Sequence, residues 1–322
     1  MKNLITDVPG VLVGNAEDRR AATGVTVAMF ERSVAAGVIT LGGAPGSRAV
    51  TLLEPEMGGL ADAIVLSGGS IYGLDAAGGI AIPVAVQAIL FDLRNGGEKD
   101  WLAGPQPRQP PYWDLGRDAA LAAAESFEPG SAGAGLGATT ATVKGGLGSA
   151  SACSRQGFTV GALVAVNAVG AATFGSGGHF WAAPYECDGE FGGRGWPSTF
   201  SAESLALTMK GQPVPATATT IGMVATDAQL TKAECKRLAI MANDGLSKAL
   251  RPVHAPNDGD TVFAAAMGTA GPGGDPSVLT ELGTVAADCL ARAVARGVYE
   301  ATALPYKDAL PDWKTRFGGA RA

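Results

Sequence analysis

Short apolar runs rich in valine and isoleucine recur along the first third of the chain: GVTVAMF at 24–30, GVITLGG at 37–43, DAIVLSGG at 62–69 and QAILFDL at 87–93. Runs this short and this apolar suit strands of a buried sheet. The period then changes. The alanine-rich GRDAALAAAESF at 116–127 reads as a helix, and GFTVGALVAVNAVGAATF at 157–174 as a hairpin around Asn167. Farther on, TTIGMVATDA at 219–228 alternates Ile221, Met223 and Ala225 and reads as a strand. It feeds a helix announced by Thr231 and Glu234, the T-x-x-E spacing of a capping box, with Leu238, Ala239, Met241, Ala242 and Leu246 as its apolar face. GDTVFAAAMG at 259–268 is another strand, and LTELGTVAADCLARAVARG at 279–297 a strong C-terminal helix. The order predicts an α/β chain with the sheet inside. Segments 94–115 and 175–199, rich in Gly, Pro and Trp, read as long loops near a site or subunit contact, and neither resembles a domain linker. The 322 residues are therefore expected to form a single domain.

Composition removes several function classes. With 47% hydrophobic and 17% charged residues, the chain packs and is not disordered. A net charge of −6 and the lack of any basic block argue against nucleic acid and against a membrane surface as partners. The N-terminus meets Asp7, Pro9 and Gly10 before any run long enough for a signal peptide, so a cytoplasmic location is expected. Four scattered cysteines and two histidines, His179 and His254, offer neither a metal cluster nor the makings of a Ser-His-Asp triad. No metal or cofactor is expected.

The stretch PATATTIGMVATDA (215–228) sets two threonines at the junction of a proline-punctuated run and a strand. A threonine hydroxyl is a poor nucleophile unless a base takes its proton, and one solution is the residue's own α-amine. An internal threonine acquires that amine only if the preceding peptide bond is cut. Here the small Ala218, after Pro213 and Pro215, is compatible with a self-inflicted cut before Thr219. By local pattern alone Thr219 reads more readily as a β-branched strand residue, Lys144 as a solvated loop charge, Asn167 as a turn residue, and Asp258 with Asp260 as an Asx-rich turn before a strand. The run GAGLGATT at 133–140 lacks the third glycine and later acid of a dinucleotide loop and reads as close packing near a site.

In the order DVPGVLVGNA, LGGAPGSR, DAIVLSGGSIYGLDAA, AILFDL, TVKGGLGSAS, ALVAVNAVG, TTIGMVATDA and RPVHAPNDGDTVFA, the chain resembles the DmpA-like aminopeptidase/amidase family over residues 4–300. That family includes D-esterases, β-peptidyl aminopeptidases and nylon-oligomer hydrolases. The resemblance implies an αββα sandwich of the N-terminal-nucleophile type and self-cleavage into chains 1–218 and 219–322. It also implies homo-oligomers, with a homotetramer of processed heterodimers expected. Carried over residue by residue, it implies Thr219 as nucleophile and Lys144 as the cation that keeps its amine neutral. Asn167 becomes the oxyanion donor, Asp258 and Asp260 the acidic pair that orients the amine and hydroxyl, and Tyr72 a substrate-side aromatic. The threonine and paired aspartates are most similar to the nylon-oligomer hydrolase branch, so aminoacyl peptides and amides or 6-aminohexanoate oligomers are the expected substrates. Acyl transfer, as in ornithine acetyltransferases of the same superfold, and an uncut inactive chain are the alternatives. Two features depart from the family pattern: Ala218 stands where many members carry Asn, and only IAIPVAVQ separates GLDAAGG from AILFDL.

Overall fold

The computed structural model describes residues 1–99, 101, 108–211 and 217–318. Pro213, Pro215 and part of the 94–115 segment lie outside the described residues. Strands β1 (Val11–Asp18), β2 (Thr23–Thr40), β3 (Ser47–Arg48), β4 (Ala61–Ser67) and β5 (Ala85–Ile89) precede helix α1 (Tyr112–Leu121). Strands β6 (Leu147–Cys153), β7 (Thr159–Asn167), β8 (Thr173–Phe174) and β9 (His179–Phe180) follow. The chain then runs through β10 (Thr219–Gln229), α2 (Lys232–Ala249), β11 (Thr261–Pro272), α3 (Pro276–Glu300) and α4 (Trp313–Phe317). Among the described residues the main sheet has the order β3-β5-β4-β2-β11-β10-β7-β6, with β1 paired to β2.

The runs at 24–30 and 37–43 are not two strands but the two halves of β2. Its pairing with β4 shifts register between Met29 and Val34, around the exposed Glu31, Arg32 and Ser33. A bulge bends a strand and raises its twist, and here it lets the sheet fold back on itself. Val11, Ile64 and Leu66 on one side and Leu163, Ile221, Met223 and Phe263 on the other meet in one buried cluster between the two sheet halves. The opposite face of β10, through Val224 and Ala228, packs with α2 and α3 in a second cluster. Val25, Val27, Ala63 and Val65 cover the remaining face with α1 and the 3-10 turns of Ser70–Gly79. The layers are thus helix, sheet, sheet, helix. Because strand side chains alternate with period two, β10 serves two cores at once, and each large apolar side chain it buries stabilises the fold by about 1.5–3 kcal/mol.

Local chemistry sets the ends of α2. Thr231 Oγ1 accepts from Glu234 N at 3.3 Å while Glu234 accepts from Thr231 N at 2.7 Å, the reciprocal capping box that the spacing predicts. Two expectations are corrected. The helix predicted at 116–127 begins at Tyr112 and ends at Leu121. The hairpin predicted around Asn167 is formed instead by β6 and β7 about residues 154–158, and Asn167 closes β7. Among the described residues no helix is long and apolar enough to cross a membrane.

Candidate active site

Strand β10 lies between β7, antiparallel, and β11, parallel. Register places Asn167 directly across from Thr219, and a parallel bridge sets Ala218 beside Asp258 in the loop leading into β11. The first residue of β10, the last of β7 and the 254–260 loop therefore share one end of the sheet. Thr219 is 3% exposed, and its hydroxyl is hydrogen-bonded to the carbonyl oxygen of Ala218. That same oxygen accepts from Gly259 N–H at 3.1 Å. The carbonyl preceding Thr219 is thus polarised by a backbone donor with a hydroxyl beside it.

Asp260 accepts from Thr220 N at 2.8 Å through Oδ1, and from both His254 N and His254 Nδ1 at 2.9 Å through Oδ2. Asn243 Nδ2 lies 2.9 Å from His254 Nε2. With the amide nitrogen as donor there, the assigned tautomer carries its hydrogen on Nδ1, facing Asp260. Asp258 is fully buried beside this carboxylate. Burial above all, then the charge of Asp260 and a hydrogen bond with it, push Asp258 well above the usual carboxylate range. The two carboxyl groups stand side by side, and it is on Asp258 that burial and its neighbour's charge hold a proton.

Asn167 is also fully buried. Its Oδ1 accepts from Asn95 Nδ2 (2.9 Å), Thr139 N (3.1 Å) and Lys210 Nζ (3.0 Å), and its Nδ2 donates to the carbonyl of Phe91 (2.9 Å). An amide nitrogen carries two hydrogens, and the Phe91 carbonyl takes one of those on Nδ2.

Lys144 is no solvated charge: it is 2% exposed, and its ammonium donates to the carbonyls of Gly135 (2.8 Å), Ala138 (2.8 Å) and Gly145 (2.7 Å). Burial pushes it down to about 7, against the opposing pull of Asp92 and with a further push from Lys210. The 133–140 run thus packs against the site through its backbone, as its glycines suggest. Lys210 is the cation whose charge acts on Asp258, and burial pushes it, too, down to about 7.

A cavity of about 140 Å³ opens onto Thr219, walled by Ser70, Ile71, Ile89, Phe91 and Thr217 among others. Tyr72, 37% exposed, is not in its wall, where the neighbouring Ser70 and Ile71 stand instead. A larger cavity of about 420 Å³, bordered by Phe174, Trp181 and Arg251, contains none of the residues above. Its hydroxyls, among them Ser176, Ser201 and Thr208, stand apart from Asn167, Lys144 and the Asp258–Asp260 pair, none of which reaches its wall.

The structure brings Thr219, Asn167, Asp258 and Asp260 together and sets Lys144 behind them on backbone carbonyls. Four participants went unassigned in the sequence: Lys210, His254, Asn243 and Gly259. His254 carried a signal, since it lies six residues before Asp260 within RPVHAPNDGD. Lys210 carried none, being a lone lysine in an irregular segment.

Comparison with known proteins adds to this geometry. The model of peptidase family S58 matches residues 3–309. An uncharacterized aminopeptidase of Mycobacterium tuberculosis is 38% identical over 357 residues, spanning 99% of both chains. A 6-aminohexanoate-oligomer endohydrolase of Kocuria sp. is 27% identical over 287 residues, 80% of this chain and 73% of that protein. Among solved structures, the L-aminopeptidase D-Ala-esterase/amidase of Ochrobactrum anthropi, described as a variant of the Ntn hydrolase fold, superposes with a TM-score of 0.69 at 20% identity. It covers 98% of this chain and 94% of its own. A Burkholderia sp. beta-aminopeptidase superposes at 0.67 and 20%, over 100% and 96%. These superpositions bear on the fold, which is of the Ntn-hydrolase type.

Proposed function

The chain belongs to peptidase family S58, whose members hydrolyse peptide amide bonds, and from that premise we propose that it cuts itself before Thr219 and then uses Thr219 as an N-terminal nucleophile. The observation that carries this reading is the Thr219 hydroxyl set against the Ala218 carbonyl, whose oxygen Gly259 N–H already holds. In the first step Oγ1 attacks the Ala218 carbonyl carbon and gives its proton to the carboxylate of the Asp258–Asp260 pair, the C–N bond breaks, and the acyl group moves from nitrogen to oxygen. The same pair, whose Asp260 accepts from the neighbouring Thr220 amide, returns a proton to the departing nitrogen. Water then hydrolyses the ester, leaving chains 1–218 and 219–322.

The freed amine of Thr219 titrates near pH 8 when unperturbed, which leaves a useful neutral fraction to take the hydroxyl proton from the next attack. Asn167 Nδ2 meets the tetrahedral oxygen, a donor worth roughly 3 kcal/mol to the transition state. Substrates are amides with an aminoacyl unit on the acyl side. The Kocuria relative's name brings 6-aminohexanoate oligomers into the same set.

Intact-mass analysis tests the reading. Two fragments of about 22 and 10 kDa are expected from residue shares of 32.2 kDa, with a single uncut and inactive chain for Thr219→Ala. A full-length wild-type chain that still hydrolyses aminoacyl p-nitroanilides would require another base for the hydroxyl. A full-length inert one would place the block at Ala218, and Ala218→Asn is then expected to restore both cleavage and activity.

A further inference from the structure

Lys210 has no part in the mechanism above, yet its half-buried side chain carries the ammonium onto residues of the site. Nζ donates to the carbonyl of Thr139 at 2.9 Å and to Asn167 Oδ1 at 3.0 Å, and the charges of Asp258 and Asp92 act on it. Burial works against the charge here, and Thr139 O and Asn167 Oδ1 offset part of that cost, so the two acceptors make a seat for a donor-rich amine head group. The seat and its occupant come from different parts of the chain. Thr139 and Asn167 are fixed by the 133–140 packing and by β7, whereas Lys210 arrives on the segment that leads to Ala218. The seat also borders the Thr219 cavity: Phe91, whose carbonyl takes Asn167 Nδ2, lies in the cavity wall, and so does Thr217 of the arriving segment.

We propose that Thr139 O and Asn167 Oδ1 form a binding site for a primary ammonium group, that Lys210 fills it as a tethered occupant, and that the ammonium of a substrate's acyl-side unit competes for it. The acceptors set the chemical class. Each needs an N–H donor, which a primary ammonium supplies in threes and a quaternary one lacks. Asn167 lies across from Thr219, so a cation in the seat stands beside the acyl carbon under attack. Once the bond after Ala218 is cut, the segment bearing Lys210 becomes a chain end, and its hold on the seat rests on the Lys210 N–H bond to the Val169 carbonyl (2.8 Å) and on its local concentration. The substrate half of the proposal rests on Thr219 as nucleophile; the seat itself does not.

The test begins in the uncut Thr219→Ala chain, where neither cleavage nor turnover enters. Calorimetric titration with ethylammonium chloride is expected to show binding to Lys210→Ala at least tenfold tighter than to the chain that keeps Lys210. Lys210→Arg, which retains a tethered cation, is expected to behave like the latter, and tetramethylammonium at equal ionic strength to bind none of them. Equal ethylammonium binding with and without Lys210, or tetramethylammonium binding as well as ethylammonium, would overturn the seat. Lys210→Met serves in the same titration should the alanine variant not fold. In the cleavable chain, Lys210→Ala is then expected to raise kcat/KM for a free-amine aminoacyl amide over its N-acetyl counterpart several-fold. An unchanged ratio there, with binding intact in the first titration, overturns the substrate half alone.

Discussion

At the residue scale the site depends on close approach. A Cβ added at Gly259 would stand 2.6 Å from Thr219 Oγ1 and 3.0 Å from the carbonyl oxygen of Ala44, with backbone on one side and the hydroxyl proposed as nucleophile on the other. The hydroxyl is the softer of the two and must give. A displacement near 1 Å at a reacting atom costs on the order of 100-fold, so Gly259→Ala is expected to slow appearance of the 219–322 fragment by about that factor. A mass time course reads this, and unchanged cleavage would mean that the hydroxyl acts from another position. His254→Ala removes the Nδ1 donor to Asp260 and leaves Asn243 without its partner. A hydrogen bond to a charged group contributes about 1.5–3 kcal/mol, so a loss of that size in urea unfolding is expected. The sequence pointed to Asp258, Asp260, Asn167 and Thr219 through motif resemblance, whereas their separation along the chain hid the contacts among them. Lys144 and Lys210 mislead for a common reason: nothing in a local pattern tells a lysine ringed by carbonyls from one in water.

At the element scale, small residues let α3 lie directly on β6. A methyl at Gly148 would stand 1.8 Å from the carbonyl oxygen of Ala293 and 2.7 Å from Gly297 N, so Gly148→Ala forces the helix off the strand. Overpacking of this kind costs about 1–3 kcal/mol, expected as a lower urea midpoint with an unchanged slope. Elements with a clear period were legible: the β10 strand, the α2 helix with its cap, and α3 all lie within a few residues of expectation. The failures arose where tertiary pairing overrides local pattern. The polar Glu31–Ser33 interrupts the apolar alternation of β2, and only its bulged pairing with β4 shows the two runs to be one strand. Asn167 resembles a turn residue, but the strand that pairs with β7 from its C-terminal side of the chain is β10, more than fifty residues on.

At the scale of the whole molecule, a cut at Ala218–Thr219 would leave β10 wedged between β7 of one piece and β11 of the other. The two chains are then expected to co-elute and to part only in denaturant. The buried lysines add a pH dependence to this shared core. Lys144 carries its proton to about pH 10.5 when unfolded and to about 7 when folded. Between those values the unfolded chain binds one more proton, so this group makes stability rise with pH by up to about 1.4 kcal/mol per unit. Below pH 7 both states are protonated and it contributes no slope. Asp258 acts in the opposite sense, because its raised value means that the folded state keeps the extra proton, up to about pH 8. Urea unfolding at pH 8.5 and 9.5 therefore isolates the lysines from Asp258, and comparison with Lys144→Met cancels Cys235 and Cys289, which burial pushes up to about 12. The wild-type slope is expected to exceed that of Lys144→Met by about 1.4 kcal/mol per pH unit. Identical slopes would mean that the carbonyls of Gly135, Ala138 and Gly145 hold the Lys144 ammonium charged throughout, each accepting one of its three hydrogens.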